Sequence, residues 1–135
     1  MTLKILIVDD IQSWRNFNAH LIRALFKNTE IHFASSASEA YNTALVNMEH
    51  PYDIILTDLQ MESDYEPDHA GQWFVRELKL LKQYKNTFII IISASSDIRY
   101  VTEKLGVEYI PKSTLVHSNL ALQLKLEELG IRNEE

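Results

Sequence analysis

Five side chains with chemistry to offer stand at the ends of apolar runs. Asp9 and Asp10 follow ILIV, Asp58 follows IILT, Ser93 follows FIIII, and Lys112 follows YIP. A lone aspartate in such a place usually caps a turn or helix, and a lone lysine is usually solvated. Taken together they are three carboxylates, one hydroxyl and one amine. Two carboxylates gathered to about 5 Å repel by roughly 3 kcal/mol at an effective dielectric of about 20. A hard divalent cation removes that penalty. Mg²⁺ takes oxygen ligands, keeps several waters, and is held by one or two carboxylates plus phosphate oxygens. Asp10 and Asp58 are the expected direct ligands, Asp9 stands behind them or acts through water, and the backbone carbonyl of Gln60 is a further ligand. A carboxylate can also accept a phosphoryl group as a nucleophile. The three oxygens of that group would be shared among the metal, the Lys112 ammonium and the Ser93 hydroxyl. Asp58, alone at the end of its run, is the expected acceptor.

Such chemistry requires a fold that brings these ends to one edge. Leu3 to Val8 reads as a buried strand, and Ile11 to Lys27 as a helix with Trp14, Phe17, Leu21, Ala24 and Leu25 at three- and four-residue steps. Ile31 to Ala34 is a short second strand. Ser36-Ala37-Ser38-Glu39 is a capping-box pattern that opens a helix to about Met48. Residues 52 to 58 form the third strand, a polar loop runs from about Gln60 to Ala70, and Gln72 to Tyr84 reads as the third helix. The fourth strand covers 87 to 93. A short helix from Asp97 to Leu105 ends on Gly106, and the fifth strand covers 107 to 112. Ser113 is placed to cap a last helix to about Leu129, closed by Gly130.

Continuous apolar strands alternating with helices imply a parallel sheet covered on both faces. The expectation is an α/β fold of flavodoxin-like type: a doubly wound, five-stranded parallel sheet, (βα)5, in order 2-1-3-4-5. It would form one domain over residues 1–135, with no effector domain. Ligands of such sheets bind beyond the carboxyl ends of the strands, where the five side chains fall.

The totals exclude other classes. A hydrophobic fraction of 46% and a charged fraction of 24% suit a folded globular chain. A net charge of −6 argues against direct nucleic-acid binding. There are no cysteines, which excludes disulfides and thiolate chemistry. The longest apolar run, residues 88 to 92, is too short to insert in a membrane, no signal peptide is visible, and a cytoplasmic location is expected.

The motifs resemble the receiver domain of two-component response regulators, the chemotaxis-type fold. ILIVDD is similar to that family's acidic pair, DIILTDLQM to its phosphorylation-site strand, IIIISAS to its Ser/Thr-Ala strand end, and GVEYIPK to its last strand. The resemblance implies a stand-alone phosphorylation switch. A sensor histidine kinase or a histidine phosphotransfer protein would donate to Asp58 with Mg²⁺. The chain itself would be no enzyme beyond slow self-phosphorylation and self-dephosphorylation. Ser93 would be drawn inward and Tyr109 would turn into the vacated space. Output would pass to a downstream protein through helix 4, strand 5 and helix 5. Gln60 and Ser95, two past the acceptor and two past the hydroxyl, occupy the places that tune phosphoryl lifetime in the family. The alternatives are a phosphate sink without a downstream target and a small Mg²⁺-dependent phosphatase using Asp58. The second would want an acid where Gln60 stands.

Two departures from the family stand out. Met61 is followed by Glu62 rather than proline, and Gly71 arrives several residues late. The acids of the resulting extended loop, residues 62–70, are either a tolerated surface insertion or a means of tuning metal affinity and partner choice. Ser113 also replaces the family's proline after the lysine. A cis bond at Lys112–Ser113 would cost about 2.5–4 kcal/mol, so a trans or a strained bond is expected.

Other candidates carry less. His20, His32, His50, His69 and His117 show no metal-ligand spacing. Trp14 and Trp73 are expected in core or boundary packing, with an exposed Trp14 serving as a docking anchor for a kinase. Leu115, Val116, Leu120, Leu122, Leu124, Leu126 and Leu129 spread over more than one stripe. Their surplus implies exposed leucine or a weak homodimer surface.

Overall fold

A computed structural model describes residues 2–61, 64, 66, 69–118 and 120–131. Five strands, β1 (Leu3–Val8), β2 (Thr29–Ala34), β3 (Ile54–Thr57), β4 (Phe88–Ser93) and β5 (Glu108–Pro111), form one sheet. All neighbours are parallel and the order is β2-β1-β3-β4-β5. The helices are α1 (Gln12–Leu25), α2 (Ala37–Val46), α3 (Ala70–Lys79), α4 (Ile98–Leu105), α5 (Lys112–His117) and α6 (Ala121–Glu128). This is the flavodoxin-like arrangement expected from the alternation of runs.

The strands alternate between two cores. Leu6, Val8, Ile55, Ile89 and Ile91 pack with Ala40, Phe74, Val75, Leu78 and Val101 of α2, α3 and α4. Ile5, Ile7, Ile54, Leu56, Ile90, Ile92 and Ile110 pack with Ala19, Ile22, Leu115, Leu122 and Leu126 of α1, α5 and α6. With both faces covered, β1, β3 and β4 have little use for polar residues until they reach the edge.

Two expected helices differ. The third helix stops at Lys79, Leu81 turns extended, and one 3-10 turn follows at Lys82–Tyr84. The break lets Tyr84 bury itself and donate its hydroxyl to Ala44 O at 2.7 Å. The last helix is two helices, because Ser118 is extended with φ −138° and ψ 113°. Ser118 belongs to the residue types whose side chains compete for backbone hydrogen bonds and weaken helix interiors. Ser113 caps nothing: α5 begins at Lys112, with Pro111 as its N-cap residue. The divided segment buries Leu115, Leu122 and Leu126 and leaves Val116, Leu120 and Leu124 exposed.

The cap expected at α2 forms with Ser36 as its N-cap residue, but the return bond from Glu39 reaches one residue further back, and there is an addition. Ser36 Oγ accepts from Glu39 N at 3.0 Å, and Glu39 Oε1 accepts from Ser35 N at 3.1 Å. Asp64, from the extended loop, accepts from Ala37 N at 2.7 Å and from Ser38 N at 3.2 Å. A carboxylate on the first N–H groups of a helix satisfies orphan donors and complements the helix dipole. This acid of the loop is therefore engaged in capping α2. Glu62 and Asp68 lie outside the described residues. Replacing Asp64 with alanine is expected to lower stability by about 1 kcal/mol in urea unfolding, and an unchanged midpoint would remove the capping role.

Candidate functional site

Register and alternation assemble the site before any side chain is considered. Val8 pairs with Thr57, and Thr57 with Ile91. Asp9 and Asp58 therefore leave adjacent strands at the same level. Both continue the side-chain alternation of Ile5 and Ile7 or Ile54 and Leu56, so both fall on the α1 side of the sheet. Ile91 pairs with Tyr109, and Ser93 with Pro111. Lys112 follows the alternation of Ile110, also on the α1 side, about two residues beyond the level of Asp58 and two strands away. Only a long side chain returns over that distance, and its stem is buried on the way.

The ammonium arrives between two acids. Lys112 Nζ lies 2.8 Å from Asp58 Oδ2 and 3.0 Å from Asp9 Oδ2. Asp9, Asp58 and Lys112 are all buried. Backbone donors hold the remaining carboxylate oxygens: Ile11 N–H to Asp9 Oδ1 at 2.9 Å and Leu59 N–H to Asp58 Oδ1 at 2.7 Å. Asp9 is thus turned toward its own following residues, while Ile11, which has no capping side-chain bond, is the N-cap residue of α1. Arg15 ties this corner shut by donating from Nη1 to Asp9 O at 2.6 Å.

Asp10 is half-buried, and one oxygen from each of Asp9, Asp10 and Asp58 falls within 4.8 Å of the others. Three hard oxygens at the mouth of a buried pocket fit a Mg²⁺-sized cation, which would lie beside the lysine rather than replace it. The electrostatics agree. Burial pushes the Asp9 carboxyl above its ordinary value; Asp58 adds to the rise, while the Ile11 N–H and Lys112 oppose it. Burial alone would lower the Lys112 pKa, but the hydrogen bond and charge of Asp58, then those of Asp9, carry it upward, so the ammonium persists.

The other expected residues lie around this centre. Ser93 is buried on the opposite alternation, and its Oγ accepts from Ser95 N at 3.1 Å. Tyr109 is half-buried against the core that α2, α3 and α4 cover, one strand across from Ser93. Gln60 is exposed, Ser95 is half-buried and bonds Asp97, and both line an open cleft of about 380 Å³. The same cleft is lined by His69 and Gln72, which the sequence did not point to; a long loop brings them back beside Gln60. Trp14 is half-buried rather than displayed, and Trp73 is the more exposed tryptophan, edge-on to Tyr41. The Lys112–Ser113 bond is trans.

Gly71 packs directly on the backbone that carries Asp58. A Cβ there would sit 2.2 Å from Asp58 O and 2.5 Å from Leu59 Cα. Its N–H donates to Leu59 O at 2.9 Å. The late glycine is therefore the point at which α3 touches the turn after β3.

Two outcomes follow from the buried charges. Lys112→Met strands two buried carboxylates and is expected to cost about 3 kcal/mol of unfolding free energy, partly regained with Mg²⁺. Equal stability to wild type in metal-free denaturant melts would contradict the pairing. The raised Asp9 pKa means that its contribution to metal-free stability is present below the ordinary aspartate range and lost as pH rises through the raised value. A cation needs the ionised form, so Mg²⁺ affinity is expected to fall on acidification while ordinary aspartates are still ionised. Calorimetric titrations at a series of falling pH values would read this, and a flat affinity would contradict it.

The profile of the response regulator receiver domain family matches residues 5–114. No curated protein matches the chain by sequence. Among solved structures, a Vibrio cholerae chemotaxis protein, CheY4, is 24% identical, with a TM-score of 0.73 over 95% of this chain and 98% of the other. A CheY-like receiver domain from Methylobacillus flagellatus is 21% identical, with a TM-score of 0.73 over 96% and 99%. A CheY-like receiver domain from Methanospirillum hungatei is 20% identical, with a TM-score of 0.70 over 96% and 94%. These likenesses are of the fold. Among the described residues no helix is long and apolar enough to cross a membrane. With most of its length matched, and its strand order the one the motifs implied, the chain belongs to the response regulator receiver domain family.

Proposed function

We propose that this receiver is a phosphorylation switch in which Asp58 accepts a phosphoryl group from the phosphohistidine of a sensor kinase or phosphotransfer protein. The observation that carries the reading is Lys112 Nζ held 2.8 Å from Asp58 Oδ2 and 3.0 Å from Asp9 Oδ2, beside a third carboxylate. An Asp58 oxygen forms the new bond to phosphorus as the phosphorus–nitrogen bond breaks. The electron pair leaves with the imidazole, which takes a proton from solvent. Asp10 and Asp58, with Asp9 behind them and the carbonyl of Gln60 beside them, would hold Mg²⁺, which supplies charge neutralisation for the entering oxygens. Lys112 follows one phosphoryl oxygen and Ser93 donates its hydroxyl to another.

The switch then works by geometry. Ser93 and Tyr109 occupy the same face of neighbouring strands. Movement of the hydroxyl toward a dianion frees space that the ring can enter, remodelling the face formed by α4, β5 and the last helical segment, α5 with α6, through which a downstream protein reads the state. Gln60 and Ser95, on one cleft, set the access of water to the acyl phosphate.

Incubation with acetyl phosphate and Mg²⁺, followed by intact mass, is expected to give one phosphoryl adduct on wild type and none on Asp58→Asn. An adduct on both would move the acceptor elsewhere. Sustained turnover of phosphate esters would instead favour the phosphatase.

A further inference from the structure

Lys112 has a third neighbour besides its two acids. Its Nζ stands 4.7 Å from the centre of the Trp14 ring. An ammonium has three N–H donors, and the partners found are two carboxylates and one indole face. The placement follows from the chain. Lys112 falls on the α1 side of the sheet, α1 starts two residues after Asp10, and Trp14 lies in its first turn. The ring has a packing partner of its own: Phe17, one turn on, lies edge to face with it at 5.6 Å. Arg15, next to it, ties the same turn to the Asp9 carbonyl. An indole face is the best aromatic seat for a cation, and a half-buried one also keeps water from that side of the ammonium.

We propose that Trp14 is a positioning residue for phosphoryl uptake, holding the Lys112 ammonium at the acid pocket and closing its solvent side. This rests on the proposed phosphoacceptor role of Asp58. The indole attracts the cation without competing for it as a third carboxylate would, so Lys112 can leave an Asp58 oxygen for a phosphoryl oxygen while keeping its seat. A packing residue would contribute volume alone, whereas this role depends on the π face.

The test uses a Trp73→Phe background, because the chain has two tryptophans and Trp14 then emits alone. In metal-free protein, Lys112→Met is expected to change the intensity of Trp14 emission. Unchanged emission in a folded variant would overturn the contact. In acetyl phosphate time courses with Mg²⁺ read by intact mass, Trp14→Leu is expected to slow adduct formation about fivefold, and Trp14→Phe to stay within about twofold of the background. A lower melting temperature with an unchanged rate in Trp14→Leu would mark a packing role and overturn the proposal. Equal slowing in the Phe and Leu variants would do the same. Absence of any adduct on wild type would defeat the phosphoacceptor reading instead, with emission still deciding the contact. Should Trp14→Leu not fold, Trp14→Phe against Trp14→Met carries the same comparison.

Discussion

The constraint on which this site depends is that one ammonium serves two buried carboxylates. Asp9 and Asp58 come to the same level because parallel pairing fixes β1 against β3, and nothing in that register relieves their repulsion. Lys112 relieves it from two strands away, at the cost of burying its own stem. The pocket therefore has a surplus of negative charge by construction: two acids share one cation, and Asp10 stands at the mouth. A divalent ion and a phosphoryl dianion are complementary arrivals at such a place, since each carries the charge the other needs.

The backbone around the pocket is tied more firmly than its charge would suggest. Asp9 and Asp58 each accept an N–H just beyond them in the chain, so the carboxylates are oriented by the chain that carries them. Arg15 secures the start of α1, and α3 begins where Gly71 meets the Asp58 carbonyl. Further out, Lys79 of α3 donates to Leu105 O and Gly106 O at 2.7 and 3.1 Å, satisfying the carbonyl end of α4. Gly106, with φ at 72°, makes the turn that exposes those carbonyls. The helix that packs on the backbone of Asp58 and the helix proposed to report on the pocket are thus joined by one side chain.

The sequence was most legible where physics is local. Apolar runs of the right length, each ended by a polar residue, marked the strands and the common edge to which Asp9, Asp10, Asp58 and Lys112 come, while the face each side chain takes is visible only in the structure. Boundaries shifted where a distant partner decided them, as after Lys79, where a helix ends and an extended Leu81 lets Tyr84 reach Ala44. Ser118 shows the reverse: the leucines around it keep a helical spacing, and a weak helix former interrupts them. Trp14 was placed in its helix correctly, but periodicity says which face a residue occupies, not that a lysine nearly a hundred positions later comes to rest on it. His69 and Asp64 were hidden for a similar reason, because a loop has no period from which to infer where it returns, and Gln72 reaches the cleft only because that loop sets where α3 begins.

Gly71 also explains why a longer connection after β3 is compatible with an ordinary receiver pocket. One end of that connection is pinned by strand pairing and the other by a contact too tight for a methyl group. Extra residues enter only between two fixed anchors, so the connection can lengthen while the acid pocket keeps its dimensions. Added length is pushed outward, toward the cleft that His69 shares with Gln60.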